Sequence, residues 1–140
     1  MKSTPPTPLL LDGIDPNDWE ASSVCEKFSS SAATFGEENA DYVAIGYMSY
    51  PAVAYWLPHL LAYLRSDAPV DSFHFESVLH KLADNDWSIR LQDELSNEEK
   101  LNISNFLEWL GGQAFMVKSP ALRTAAYNYA IELWHPDTYA

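Results

Sequence analysis

Residues 96–112 read SNEEKLNISNFLEWLGG, and this stretch has the clearest structural pattern in the chain. Ser96 precedes Glu99 by three residues, the spacing of a capping box in which each side chain bonds the other residue's backbone N–H. Apolar residues then recur at helical spacing at Leu101, Ile103, Phe106, Leu107 and Leu110. The pair Gly111-Gly112 is typical of a helix C-terminus. We therefore predict a helix that begins after Ser96 and ends at the two glycines.

A second core helix is predicted from Ser49 to Leu64. Ser49 is a favourable cap, and Pro51 suits the first turn. The apolar stripe consists of Val53, Trp56, Leu57, Leu60, Leu61 and Leu64. An interior proline loses a backbone hydrogen bond and clashes with the preceding turn at a cost of about 3 kcal/mol. Because Pro58 lies inside the stripe, we expect a kink or a new helix start near Trp56.

Three other segments have apolar residues at helical spacing, namely residues 17–29, 71–83 and 119–134. The last begins with Ser119-Pro120, is stopped by Pro136, and places Tyr129 on its apolar stripe. Residues 42–47 and 87–95 alternate apolar and other residues instead, which allows short extended pieces. The fold class predicted is mainly α, a single compact bundle of four to five helices with at most short strand pieces.

The length of 140 residues suits one hydrophobic core. Prolines at positions 5, 6 and 8 and the absence of periodicity predict that residues 1–15 form a disordered or loosely attached N-terminal tail. Residues 16–140 are then a single helical domain.

The charge balance narrows the classes of partner. Eight basic and 20 acidic residues give a formal net charge of −12. Such a chain repels phosphate backbones, so we expect no direct binding to nucleic acid. Basic protein partners are favoured, because opposite charge speeds association. The alternative is that the acidic surface serves solubility alone.

Cysteine use and hydropathy bear on the compartment. Cys25 is the single cysteine, so no internal disulfide can form, which favours a reducing compartment. The N-terminus has no apolar region of a signal peptide, and no apolar run approaches the length of a membrane span. We expect a cytoplasmic protein that does not bind membranes.

No motif for catalysis or cofactor binding is present. His59, His74, His80 and His135 contain no pair at the i, i+4 spacing of a helical zinc site, and Glu76 with His80 is two ligands short of one. Cys25 lies on an apolar helix face and is expected to be structural. Phosphate-binding loops and nucleophile elbows are absent. We therefore predict no catalytic residue, no cofactor and no metal.

The partner-binding candidates are acidic residues with one aromatic residue between residues 84 and 99. They are Asp84, Asp86, Trp87, Asp93, Glu94, Glu98 and Glu99. Carboxylates beside aromatic and aliphatic side chains are suited to a binding hot spot. The alternative is a solvated loop whose apolar residues belong to the core.

Four segments carry a resemblance to a known family. They are YWLPHLLAYL at 55–64, LSNEE at 95–99, FLEWL at 106–110 and AIELW at 130–134. Over about residues 42–134 the chain resembles a family of small bacterial all-helical proteins known as a domain of unknown function. Such proteins look like immunity proteins, which neutralise a toxin in the cytoplasm. The resemblance implies a fold more than a chemistry, and no catalytic residue is carried over.

Together these observations predict a protein-binding module. Its most concrete form is a cytoplasmic immunity or inhibitor protein that neutralises a basic toxin or effector. One alternative is a small-molecule-binding or cryptic enzyme domain, which needs a pocket that joins a histidine to carboxylates of another helix. Another is an acidic DNA mimic that inhibits a nucleic-acid-binding protein. A homodimer is also open, because aromatic residues can form a self-interface as well as a core.

Overall fold

The structure is a computed structural model that describes residues 4–66 and 70–139. It is mainly helical, as predicted, and within those two ranges it contains no β-strand. Residues 1–3 of the predicted tail lie outside the described residues.

The helical segments outnumber the four to five that were predicted. They are α1 (Trp19–Phe28), α2 (Asn39–Tyr47), α3 (Tyr50–Leu64), α4 (Ser72–Ala83), α5 (Asn85–Gln92), α6 (Asn97–Gly111), α7 (Ala114–Val117), α8 (Pro120–Leu122) and α9 (Asn128–Leu133). A π-helical turn over Arg123–Tyr127 joins α8 to α9, and a 3₁₀ turn over Pro136–Thr138 follows. By its contacts, the chain divides into two compact units, one ending at His74 and one beginning at Phe75.

The two pieces that were expected to be extended are helical. Residues 42–47 belong to α2, which begins with a capping box between Glu38 and Asp41. Residues 87–92 belong to α5, where the Asp84 side chain accepts a hydrogen bond from the Trp87 backbone N–H at 3.0 Å. The alternating pattern allowed short strands here without requiring them, because a short alternating run does not distinguish a strand from a capped helix.

The first unit is built around aromatic side chains of α1 and α3. The rings of Phe28 and Trp56 meet edge to face with centroids 5.1 Å apart, and both side chains are buried. The indole N–H of Trp56 donates to the Phe28 carbonyl at 3.2 Å, which satisfies its polar atom inside the core. The apolar stripe of α3 is buried in the core, as predicted.

Helix α3 is one continuous helix with Pro58 inside it, so of the two outcomes expected near Trp56 the new helix start is not found. Its cap is the one predicted, because Ser49 Oγ accepts from the Ala52 N–H at 3.3 Å. The same hydroxyl donates to the Pro8 carbonyl at 2.8 Å, and the Ser49 N–H donates to the Leu9 carbonyl at 2.7 Å. These bonds join residues of the proline-rich N-terminal segment to the start of α3.

The second unit is centred on the buried Trp134. Its indole N–H donates to the Leu82 carbonyl at 3.1 Å and lies 3.3 Å from the Ser88 hydroxyl oxygen. The predicted capping box at the start of α6 is confirmed. Ser96 Oγ accepts from the Glu99 N–H at 3.2 Å, and the Ser96 N–H donates to Glu99 Oε1 at 3.0 Å.

Helix α6 ends at Gly111 with Gly112 as its C-cap, as predicted, but neither glycine is in the left-handed conformation of many glycine caps. Gly112 has φ −89°, so this position is right-handed rather than the left-handed cap that favours glycine. Gly111 is needed for space, because a Cβ there would lie 2.8 Å from Cζ of Tyr127 and closer still to its Oη. Tyr127 is buried, and its hydroxyl donates to the Leu107 carbonyl at 2.8 Å.

The π-helical turn changes which side chains of the last helix are exposed. In this turn the Asn128 N–H donates to the carbonyl of Arg123, five residues back. One extra residue in a turn rotates the following residues relative to an unbroken α-helix. Ala126, Tyr127 and Ala130 are buried, whereas Tyr129 is 58% exposed, so the placement of Tyr129 on the apolar stripe was wrong.

Candidate partner-binding surface

The first three predicted candidates lie at the start of α5. Asp84 is the N-cap, and Asp86 is exposed in the first turn, where the helix dipole favours a carboxylate. Trp87 is only 6% exposed, and the Lys81 ammonium lies 5.9 Å from its ring centroid. The exposed apolar side chain of α5 is therefore Ile89, not Trp87.

Asp93 and Glu94 lie at the opposite end of α5. Asp93 is the C-cap, where the helix dipole favours cations, and Glu94 follows it. Both are exposed, and neither side chain forms a hydrogen bond or ion pair with any residue that the structure describes. Helix stability therefore does not account for a negative charge at Asp93.

Glu98 and Glu99 lie in the first turn of α6, where carboxylates stabilise the helix. Glu99 is committed to the capping box with Ser96, whereas Glu98 is exposed. The predicted acidic residues thus include some that cap helices and some that face solvent with no structural partner.

A groove lies between α5 and α9 in the second unit. Its volume is about 340 Å³, and its lining includes Asn85, Ile89, Gln92, Tyr129, Glu132 and Leu133. Gln92 Nε2 donates to the Leu133 carbonyl at 2.9 Å, which links the two helices. Ile89 is 49% exposed and Tyr129 is 58% exposed, so two large apolar surfaces face solvent here.

Sequence reasoning missed this groove, because none of the seven predicted candidates lines it. Tyr129 was placed in the core because the π-helical turn was not foreseen. Glu132 and Asp137 are exposed carboxylates far from residue 84 along the chain, so no local pattern connects them to α5. The sequence gives no indication that α5 and α9 pack side by side.

The histidines are spread over different surroundings. His59, His80 and His135 are exposed, whereas His74 is buried. His74 Nε2 lies 3.0 Å from the Gly36 carbonyl, and because a carbonyl only accepts, this nitrogen carries a hydrogen. His74 Nδ1 has no hydrogen-bond partner among residues 4–66 and 70–139.

A cluster of polar side chains surrounds His74 in the first unit. The hydroxyls of Tyr42 and Tyr63 both donate to the Glu37 carboxylate, the latter at 2.7 Å. The Tyr42 and His74 ring centroids are 4.4 Å apart. The hydrogen bond to Glu37 raises the pKa of Tyr42 to about 12, and burial with the same carboxylate raises the pKa of Tyr63 to about 12. In return, the two hydroxyls lower the pKa of Glu37.

The remaining reactive groups are not assembled into a centre. In residues 4–66 and 70–139, no three His, Cys, Asp or Glu side chains are grouped so that they could hold a metal ion. Cys25 is partly exposed, and its Sγ lies 3.7 Å from the Ser29 hydroxyl oxygen. No described helix is both long enough and apolar enough to cross a membrane.

Comparisons with known proteins leave the family open. No protein-family model, no curated protein and no solved structure matches the chain. The resemblance to a bacterial helical family therefore stays a prediction.

Proposed function

We propose that this chain is a protein-binding module whose acidic surface binds a basic partner. The acidic surface is defined as the exposed carboxylates of Asp86, Asp93, Glu94 and Glu98. The most concrete form of the proposal is a cytoplasmic immunity or inhibitor protein that neutralises a basic toxin or effector.

The observation that carries the proposal is the pair of carboxylates after α5. Asp93 and Glu94 are exposed and unpaired among the described residues, and Asp93 sits where the helix dipole favours a cation. A binding role accounts for negative charge at this point, because a cationic partner would offset its unfavourable interaction with the helix end. Solubility alone would be served equally well elsewhere on the surface.

The acidic surface contributes mainly to the association rate and to the specificity of binding. An exposed ion pair contributes about 0.2–1 kcal/mol, so four of them give a modest affinity that salt weakens. A surface of one sign raises association rates by about 10- to 1,000-fold. Both properties suit a protein that must capture a harmful partner quickly.

A second candidate function is a small-molecule-binding or catalytic role at the Glu37 and His74 cluster. It is favoured by His74 Nδ1, a buried nitrogen with no hydrogen-bond partner in the part of the chain that the structure describes. The nitrogen belongs to a ring beside two tyrosines that share one carboxylate. A metabolite that occupied this cluster would shift the His74 ring signals in an NMR titration. Unchanged ring signals with every compound of a broad metabolite set would argue against this role.

The main proposal is tested by affinity capture from the native cytoplasm with a C-terminally tagged protein, followed by mass spectrometry. We expect wild type to retain one stoichiometric basic protein at low salt and to lose it at high salt. The Asp93→Lys, Glu94→Lys variant should fail to retain it. Equal capture by wild type and this variant would contradict the proposal.

A further inference from the structure

The groove between α5 and α9 exposes apolar surface that the fold does not use. Ile89 and Tyr129 line it and are about half exposed, on two different helices. Both could be polar without loss to the core, since Trp87, Leu91 and Ala130 fill the buried faces of these helices. Neighbouring exposed apolar side chains that form a concave surface are typical of a binding site.

The size of the groove limits what it can hold. A volume of about 340 Å³ lies at the lower end of the range for ligand pockets, which begins at about 300 Å³. This space accommodates one large side chain with the adjoining main chain, rather than a folded domain. Asn85 and Thr138 also line the groove. An asparagine amide can donate to and accept from a main chain, and the Thr138 hydroxyl, which donates to the His135 carbonyl at 2.8 Å, can still accept.

The negative charges around the groove favour a cationic occupant. Glu132 lines the groove, and Asp84, Asp86, Asp93 and Asp137 each lie next in sequence to a lining residue; all five are exposed. On α5, the residues three before and four after Ile89 are Asp86 and Asp93, which places both on the side of the helix that Ile89 occupies. Arg90 is the one basic residue of α5.

This charge pattern disfavours most alternatives to a basic segment. A second copy of this chain carries the same charge of −12, and nucleic acid or an anionic membrane is repelled for the same reason. A cationic peptide gains attraction from the flanking carboxylates and burial of an apolar side chain in the groove.

We propose that the groove binds a short basic segment of a partner protein, with one large apolar side chain seated against Ile89 and Tyr129. The inference rests on the proposed function, because it identifies the part of the basic partner that the surface recognises. The carboxylates attract the segment, and the groove selects the apolar residue within it.

Two synthetic pentapeptides provide the probes. One has leucine flanked on each side by two lysines, and the other has serine in place of leucine. Amide NMR titration of the full chain measures both affinities at low salt. We expect the leucine peptide to bind about tenfold more tightly, as burial of a leucine side chain predicts, and to shift the amides of Ile89, Gln92 and Tyr129.

Three substitutions test whether the groove binds the leucine. Ile89→Ser should remove the preference for leucine, and because the side chain is half exposed the fold is retained. Val117→Ser is the matched control, since Val117 is 63% exposed in the same unit and does not line the groove. It should leave the preference unchanged. Arg90→Ala should tighten both peptides, because it removes the one cation of α5.

The outcomes separate the two proposals. Equal binding of the two peptides, or failure of both to bind, overturns the inference about the groove. The function proposed above is overturned separately, by capture of the basic partner that is unchanged in the Asp93→Lys, Glu94→Lys variant.

Discussion

Replacement of Gly111 by alanine is a sharp test of the packing at the end of α6. Alanine inside a helix is favoured over glycine by about 1 kcal/mol, so propensity alone predicts stabilisation. The added Cβ, however, would meet Tyr127, with Cζ at 2.8 Å. Tyr127 is buried and held by its hydrogen bond to the Leu107 carbonyl, so it cannot move away freely.

The expected result is a net loss of stability. Overpacking of a core costs about 1–3 kcal/mol, and a displaced Tyr127 hydroxyl would leave a buried polar group unpaired at a cost of about 1–3 kcal/mol. After the propensity gain is subtracted, we expect Gly111→Ala to reduce the free energy of unfolding by about 1–5 kcal/mol. Urea denaturation followed by tryptophan fluorescence measures this quantity.

Gly112 is the matched control, since it is the adjacent residue and has ordinary surroundings. A Cβ at Gly112 meets only the Trp109 carbonyl oxygen at 3.7 Å, and its φ of −89° suits any residue. Gly112→Ala should therefore be neutral or stabilising by less than about 1 kcal/mol. In a Tyr127→Phe background, Gly111→Ala should cost less, because the closest atom is gone. Equal stabilities of the Gly111→Ala and Gly112→Ala proteins would refute this reasoning.

Three other predictions concern stability and titration. Asp41 is buried, and its Oδ1 lies 2.5 Å from Lys27 Nζ. Asp41→Asn should therefore lower the free energy of unfolding, measured by urea denaturation, by about 2–3 kcal/mol. A loss below about 0.5 kcal/mol would contradict this. Ser96→Ala should lower the stability by about 1 kcal/mol and Ser119→Ala by much less, because, of these two serines, only Ser96 makes a side-chain cap bond. Thermal unfolding should show this order. The two tyrosines bonded to Glu37 have a pKa of about 12 in place of 10, so their stabilisation is complete below pH 10 and is lost as the pH rises through 12. In Glu37→Gln, ultraviolet absorbance should show both titrating closer to pH 10, and an unchanged titration would refute the role of Glu37.

The parts of the fold that follow from local chemistry could be predicted from the sequence. The caps at Ser49 and Ser96 were identified because a cap involves only residues three apart. Helix α5 was missed because its residues alternate over a short run, and the cap at Asp84 was not weighed against that alternation. A cap signal therefore outweighs alternation in segments of this length.

The parts that depend on distant residues could not be predicted. The need for glycine at position 111 comes from Tyr127, which is sixteen residues away in the sequence. The π-helical turn that exposes Tyr129 satisfies packing around Tyr127 and Ala130, which no local pattern records. The groove likewise joins residues near 89 to residues near 132, so no local pattern revealed it, and none of the seven predicted candidates lines it.

The carboxylates after α5 are proposed to bind a basic partner. The most direct test measures the dissociation constant of the captured basic protein for three forms: wild type, Asp93→Lys with Glu94→Lys, and Asp12→Lys with Glu26→Lys. The last form changes the net charge equally at exposed positions elsewhere. Titrations at about 0.1 M and about 1 M salt compare Debye lengths of about 10 Å and about 3 Å.

Reversal at Asp93 and Glu94 should weaken binding at the lower salt concentration by about tenfold or more, because two attractions become repulsions. Reversal at Asp12 and Glu26 should change the dissociation constant by less than about twofold, and the difference between the two variants should shrink at high salt. Equal weakening by the two variants would mean that net charge alone governs binding, which would contradict a partner surface at α5.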